Sequence, residues 1–351
     1  MGNPMTDQSD SHTRQSDDHT APADDTPVTG LPAETLFHSS AWREAVEQAF
    51  DLKIERFEPP SEPDGVAYLS VLEDIRGRRV VSTPFSDFCD PLLTTEQGWR
   101  EFADRVRSFD APATVRPFAH AHALADDSFE HRGELVWHGI DLTEGADAVW
   151  DGLRSKVRTA IRRAAKQGLS FRVSTAMDDI ATFHRMHVDL RKSKYRMLAQ
   201  PLSFFEDLHG RFGDDMAVIL AEEGDEPVAA MVYLAYNGVW YYKFSASYPR
   251  HYRPNGALII EACREGERRG LRLLDMGRSD LDQTGLVDFK EQFASTSRAL
   301  ATLHWTPTDH AEPTGAEVGR ILGDITELLT DPEVPNRVAT LAGDRLYRYF
   351  G

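Results

Sequence analysis

The segment Gly285-Leu-Val-Asp-Phe-Lys-Glu-Gln-Phe293 gives one lysine an unusual setting. A helical period puts Phe289 and Phe293 one turn apart, so both rings anchor one face. Lys290 lies beside that face, where its ammonium would be poorly mobile and partly stripped of water, conditions that make a lysine chemically useful. A little upstream, the apolar strand Leu271–Met276 runs out in Asp275-Met-Gly-Arg-Ser279. Ligand sites in α/β folds gather where strands end, which nominates Asp275 and Arg278. Asp275 could relay a proton or simply cap the following loop. In the run Val239–Ser247, alternation puts Tyr241, Lys243, Ser245 and Ser247 on one face, with Trp240, Tyr242 and Phe244 on the other. The aromatic face reads as core. The Tyr241/Lys243/Ser245 face reads as a polar pocket wall.

A second kind of chemistry is suggested by charge. Between Trp150 and Ser170, apolar Leu153, Val157, Ile161, Ala164 and Ala165 form one helical stripe. Arg154, Arg158, Arg162 and Lys166 form another, widened by Lys156 and Arg163, and Gly168 suits a left-handed C-cap. Like charges four apart oppose a bare helix. Either carboxylates elsewhere in the chain neutralise this row, or it meets substrate phosphates, for which the planar arginine fork is suited. Lys156, Arg158 and Arg162 are therefore candidate phosphate contacts. A second cluster, Arg191-Lys-Ser-Lys-Tyr-Arg196, adds Lys194 and Tyr195, although cations at a helix end also simply complement its dipole.

The elements needed to position these groups can be read in order. Residues 1–30 are polar and acidic and are expected to be a disordered tail. Residues 31–145 then alternate helix and strands: a helix from Ser39 or Ser40 to Phe50, strands at Leu52–Phe57, Val66–Leu72 and Arg79–Ser82, a helix at Glu96–Phe109, and strands at Thr114–Phe118 and Glu134–Asp141. A linker helix fills 146–168. Residues 169–308 repeat the rhythm, with a hairpin at Asn237-Gly238, and helices over 309–351 finish the chain. The fold class is α/β (α+β).

Composition narrows the rest. The 351 residues carry 57 acids against 39 bases, a net charge of −18, and the bases are mostly arginine. Such acidity argues against a sequence-reading DNA binder. It suits a salty cytoplasm, that of a halophilic archaeon or alternatively an actinobacterium. Cys89 and Cys263 cannot build a disulfide framework, and His120-x-His122 has no acid or cysteine at ligand spacing, so no metal is expected. No apolar run suggests a transmembrane span or an export signal, and the expected compartment is the cytoplasm.

Taken together in order, several motifs resemble the FemAB-like branch of the GNAT superfamily. They are the linker helix Trp150…Lys156-Val-Arg158…Ile161-Arg-Arg-Ala-Ala-Lys166-Gln-Gly168, the strand Tyr241-Tyr-Lys-Phe-Ser245-Ala-Ser247, the strand Gly270-Leu-Arg-Leu-Leu-Asp275-Met-Gly277, and the G-L-x-x-F-K-x-x-F segment ending at Phe293. The loop Ser82-Thr-Pro-Phe-Ser-Asp87 also fits. The resemblance spans about residues 35–305. It implies two tandem GNAT-like domains with mixed central sheets flanked by helices, the second catalytic. It implies transfer of an acyl or aminoacyl group to an amine of a cell-envelope or polysaccharide precursor, either a small molecule or a nucleotide-linked one. Aminoacyl-tRNA is the favoured donor, which would bring in the acceptor end of a tRNA. The alternatives are an acyl-CoA N-acetyltransferase, or a non-catalytic module binding RNA or a nucleotide sugar. No tightly bound cofactor is implied. Lys290 is then the candidate for contacting the donor end or the developing oxyanion, with Asp275 or Tyr241 as proton relay. Ordinary GNAT enzymes cradle the coenzyme A pyrophosphate with a [QR]-x-x-G-x-[GA] loop; here the corresponding run is Arg253-Pro-Asn-Gly256-Ala-Leu258, whose last position departs.

Overall fold

The computed structural model describes residues 30–248, 253–308 and 314–350. The expectation for the tail up to residue 29 lies outside the described residues. The first half runs α1 (Ser40–Phe50), β1 (Glu55–Phe57), β2 (Ala67–Asp74), β3 (Gly77–Val81), α2 (Glu96–Arg107), β4 (Ala113–Val115), α3 (Ala121–Leu124) and β5 (Glu130–Asp141). α4 (Gly145–Gly152) and α5 (Ser155–Ala165) lead into β6 (Leu169–Ser174), α6 (Met177–Leu190), α7 (Leu202–Phe212), β7 (Met216–Glu223), β8 (Glu226–Tyr236) and β9 (Val239–Ser247). Then come α8 (Asn255–Arg268), β10 (Leu273–Asp280), α9 (Thr284–Glu291), β11 (Thr296–Trp305), α10 (Thr314–Leu329) and α11 (Asn336–Leu346).

This is the mixed α/β architecture with flanking helices that the sequence predicts, but the two central sheets are one. Eleven strands run in the order β1-β2-β3-β4-β11-β5-β10-β9-β8-β7-β6. β5 is the hinge pin. On one side it pairs with β11, from Thr296↔Gly139 to His304↔Glu130, and on the other with β10, from Leu273↔Asp141 to Asp280↔Leu135. β11 in turn pairs with β4. A late strand is thus threaded into the first half.

Period-two alternation decides which residues go to which layer. In β8, Ala230, Val232 and Leu234 face a core with Trp42, Phe50, Phe183, Phe204 and Phe205, supplied by α1, α6 and α7. Ala229, Met231 and Tyr233 face the opposite core, with Leu153, Val157 and Ile161 from the linker region and Leu258 and Ile259 from α8. Asn237 (φ 48°) and Gly238 (φ 77°) close the β8–β9 hairpin with the pair of positive φ angles that a type I′ turn needs.

The linker differs from expectation. It is not one helix over 146–168 but two, with Leu153 and Arg154 in extended conformation between them. Leu153 is buried with Ile161 and Val157 in the core, and Gly152 before it is a weak helix former, so the chain turns inward there rather than continuing. The basic turn Arg191–Tyr195 is a π-helical extension of α6. It splits its cations: buried Lys192 donates to Pro332 O (3.3 Å) and Arg196 to Glu327 O (3.0 Å), fastening the end of α10. Among the described residues no helix is long and apolar enough to cross a membrane.

Candidate active site

β9 and β10 are parallel neighbours over only three residue pairs, Val239↔Leu273 to Tyr241↔Asp275, and then part. Both strands are irregular at that point. In β9, Val232 faces Phe244 while Tyr233 faces Tyr242, so Lys243 is an extra, bulged residue. In β10, the pairing with β5 slips between Asp275 and Arg278, and Gly277 takes φ +68°, a left-handed value that glycine adopts without strain. A side-chain carbon at Gly277 would also come within 3.3 Å of Asp87 Oδ2. The parting leaves main-chain carbonyls available, and Lys290 takes two of them: its Nζ donates to Gly277 O at 3.0 Å and to Arg278 O at 2.9 Å. Burial lowers the Lys290 ammonium to about 8, although Asp87 and Asp275 nearby pull the other way. An ammonium has three donors, so one remains.

Asp275 is fully buried beside it. Its Oδ1 accepts from Gly277 N at 2.5 Å, and the Trp137 side chain also stands in reach of the carboxyl. Burial, aided by the Asp87 charge, pushes this carboxyl up to about 6. Burial raises the Tyr241 hydroxyl well above the ordinary phenol range, with the Leu36 main chain in reach pulling the other way. Asp275 and Lys290 therefore titrate on either side of neutrality, the arrangement that acid–base chemistry uses.

Asp87 comes from the proline-punctuated loop after β3. Phe85, just before it, is held at φ +59°, uncommon for a side-chain-bearing residue, by stacking on Phe50 at 4.0 Å. Ser86 Oγ accepts from Trp42 Nε1 at 3.1 Å. So fixed, Asp87 Oδ2 accepts from Lys243 Nζ at 2.7 Å, and Arg278 Nε stands 4.0 Å from Oδ1. Burial would raise the Asp87 carboxyl, but Lys243 and Arg278 outweigh it and hold it below the usual range. The Lys243 ammonium also lies over the rings of Phe37 (4.6 Å) and Trp42 (5.2 Å).

Asp87, Lys243 and Arg278 lie on the wall of a cavity of about 410 Å³. Asp87, Arg116, Lys243, Ser245 and Arg278 are polar parts of its wall, and Phe50, Phe85, Phe204 and Tyr347 are apolar parts. His187 lines it too, donating to Gln200 Oε1 at 2.7 Å; burial pushes it down to about 3, so the ring is neutral. Among the described residues no three metal-ligating side chains converge.

Of the residues nominated from sequence, Lys243, Ser245, Arg278 and Tyr195 line this cavity. Lys290, Asp275 and Tyr241 lie buried outside its lining, with Lys290 and Asp275 in electrostatic reach of Asp87 and Lys243. Phe289 is half-buried against Phe293 at 5.3 Å, in the core on the far side of the sheet. Lys194 is exposed, its Nζ 4.9 Å from the Tyr195 ring centre. Lys156, Arg158 and Arg162 are not at the cavity: α5 packs on α8 on the opposite face of the sheet. Arg158 donates to Asp151 O at 2.8 Å and Arg162 lies over the Trp150 ring. Strict alternation puts Phe244 across the strand from Lys243; the bulge instead brings Lys243, Phe244 and Ser245 all to the cavity. Sequence reasoning missed Asp87, Arg116, His187 and Tyr347 as wall residues. Only Asp87 carried a signal, the Ser82–Asp87 loop.

At the start of α8, the space beside Gly256 is filled by side chains. A carbon there would meet Ile161 Cγ1 at 3.3 Å and Phe293 Cζ at 3.4 Å. The glycine thus serves close packing of α5, α8 and the end of α9.

Residues 152–291 match the family model described as an acetyltransferase (GNAT) domain. Comparison with curated proteins finds no match. Among solved structures, FemX superposes with a TM-score of 0.62 at 12% identity, covering 83% of this chain and 95% of that one. The C-terminal domain of a protein from Agrobacterium fabrum, described as a lysylphosphatidylglycerol synthetase, gives 0.54 at 15% identity, covering 84% and 94%. L-PGS from Bacillus licheniformis gives 0.53 at 15% identity, covering 84% and 99%.

Proposed function

We propose that this chain, whose residues 152–291 match a GNAT acetyltransferase domain, is an acyltransferase of the FemAB-like branch and moves an aminoacyl group from a charged tRNA to an amine held in the Asp87–Lys243–Arg278 cavity. The acceptor is a cell-envelope or polysaccharide precursor. Acyl-CoA is the competing donor. The observation that carries the reading is the placement of a cavity wall beside the point where β9 leaves β10, with Lys290 held between the strands.

In this reading the neutral amine attacks the ester carbonyl carbon. The carbonyl π electrons move to oxygen, and the Lys290 ammonium and main-chain N–H groups between Tyr242 and Ser245 stabilise that oxyanion. Asp275 takes the amine proton, directly or through the Tyr241 hydroxyl. Collapse of the intermediate expels the ribose oxygen, which regains a proton. Holding the reactants in line supplies roughly 7–11 kcal/mol in good intramolecular models. An oxyanion donor adds about 2.7–4 kcal/mol.

The donor preference rests on α5 and its flanks. Their six cations, Arg154, Lys156, Arg158, Arg162, Arg163 and Lys166, make no ion pair with a carboxylate among the described residues, in a chain of net charge −18. α5 packs on α8, and its Ile161 meets Phe293, just past α9, beside Gly256; in this reading the donor approaches from that face. An unneutralised cationic row there suits the phosphates of a nucleic acid better than a single coenzyme. The test supplies labelled alanyl- or glycyl-tRNA and, separately, labelled acetyl-CoA, with a total extract of acceptors, and looks for labelled amide. Product from tRNA alone is expected. Product from acetyl-CoA alone reverses the donor, and product from neither overturns the proposal.

A further inference from the structure

Arg116 and Arg278 belong to two cavities at once. Both line the 410 Å³ cavity, and both line a second one, of about 700 Å³, bounded by Thr114, Leu135, Thr302 and His304 on the other side. They stand where the two spaces meet. One comes from the segment after β4 and the other from the irregular stretch of β10, so the junction is built from both halves of the chain.

Their own bonding is thin. Among the described residues, Arg116 has one long side-chain hydrogen bond, Nη1 to Thr83 O at 3.4 Å, and Arg278 has the 4.0 Å approach to Asp87. Asp87 is already committed to Lys243 at 2.7 Å. Glu134, Asp280 and Asp282 also line the second cavity, but among the described residues none of them comes within ion-pair distance of either arginine. Burial first, and the Arg278 charge second, push the Arg116 guanidinium down to about 10, with Asp87 pulling the other way. At the junction, Asp87 is the carboxylate nearest the two guanidiniums, and Lys243 already holds it. Two guanidiniums this close, in a partly water-excluded place and without a close carboxylate of their own among the described residues, cost free energy unless an anion joins them. Such a cluster without a ligand is hard to reconcile with a chain that carries acids in surplus.

We infer that Arg116 and Arg278 form a two-armed clamp for an anionic group, a phosphate or a carboxylate, on the acceptor substrate. Guanidinium forks grip either group with paired hydrogen bonds. The clamp fixes one end of the acceptor, and the amine is then presented over Lys243 and Asp87. Because the second cavity opens beyond the same two arginines, the acceptor continues past the clamp, so it is a molecule longer than a single amino acid. This inference rests on the acyl-transfer reading for what the ligand is, and not for whether an anion binds.

The test is calorimetric titration of the full-length protein with inorganic pyrophosphate, inorganic phosphate and succinate in separate arms, on wild type, Arg116→Gln, Arg278→Gln and an exposed control far from the junction in sequence, Arg320→Gln. Saturable one-to-one binding is expected with either the phosphates or the dicarboxylate, and the preferred arm names the group. Each clamp variant should weaken it by about tenfold or more, and the exposed control should not. Arg116→Lys, which keeps the charge but not the fork, should fall between and guards against a folding defect. Wild-type binding unchanged in Arg116→Gln, weakening in the exposed control, or no saturable binding in any arm overturns the clamp. Amide formation is measured in parallel: if it persists without anion binding, the clamp fails alone; if binding follows the arginines but no donor yields amide, the functional reading fails alone.

Discussion

Two groups of cations lie on opposite faces of one sheet and behave differently. Lys243, on the cavity wall, and Lys290, buried behind it, are bonded at stated atoms in the interior: a carboxylate oxygen 2.7 Å away for one, two carbonyl oxygens near 3 Å for the other. Those on α5 are solvent-facing and have no acid partner among the described residues. A buried charge is placed to within a fraction of an ångström because its partners must offset its lost hydration, so it can act on one atom. An exposed charge is screened over about 10 Å and acts on a field, not an atom. The first kind suits chemistry and the second suits capture.

That contrast can be broken most sharply at Lys290. Lys290→Ala should lower turnover by about a hundredfold or more with little change in KM, measured by amide formation; a drop within about threefold would remove Lys290 from the oxyanion role. Next is Asp87→Asn, which strips Lys243 of its counter-charge. Breaking a buried pair typically costs about 3–5 kcal/mol, so the midpoint of urea unfolding should drop markedly and activity should disappear. If stability is unchanged, the Asp87–Lys243 pair is not a buried anchor.

The pH dependence follows from the two shifted groups. Asp275, at about 6, must be deprotonated to accept a proton, so kcat/KM should rise through about pH 6. Lys290, at about 8, must be protonated to stabilise an oxyanion, so the rate should fall through about pH 8. Stability should move oppositely to that optimum. The raised Asp275 favours the folded state only while protonated, so stability falls as pH rises from about 4 to about 6. The lowered Lys290 makes the folded state release its proton first, so stability recovers above about pH 8. A flat profile between pH 5 and 9 would separate both groups from the reaction.

The smallest effects belong to α5. Replacing Lys156, Arg158, Arg162 and Lys166 with glutamine should raise the KM for the tRNA donor and flatten its salt dependence, by about 0.7 in logarithmic slope for each phosphate no longer neutralised. Stability should shift by no more than about 0.5 kcal/mol per site and kcat should hold. An unchanged salt slope would return these side chains to a merely solvated role.

Much of this was legible in the sequence, for reasons that also mark where legibility stopped. Lys290 and Asp275 could be nominated because each sits in a local pattern, one between phenylalanines a turn apart and the other at the end of an apolar strand. The hairpin at Asn237-Gly238 was readable because turn chemistry is local. Asp87 and Arg116 could not be joined to them, because their proximity depends on β5 and β11 bringing distant segments together. The bulge at Lys243 was invisible because alternation assumes an unbroken ladder, and it carried Phe244 to the unexpected side. The turn at Leu153 was hidden because a helical stripe remained in phase across it.

The threading of β11 between β4 and β5 also constrains how the molecule is made and how it opens. The halves cannot swing apart like the shells of a clam without tearing two ladders of hydrogen bonds, so the sheet itself does not part to admit a substrate. During synthesis, the segment up to Asp141 leaves the ribosome with an empty slot in its sheet and must wait for Thr296–Trp305 before that slot can close.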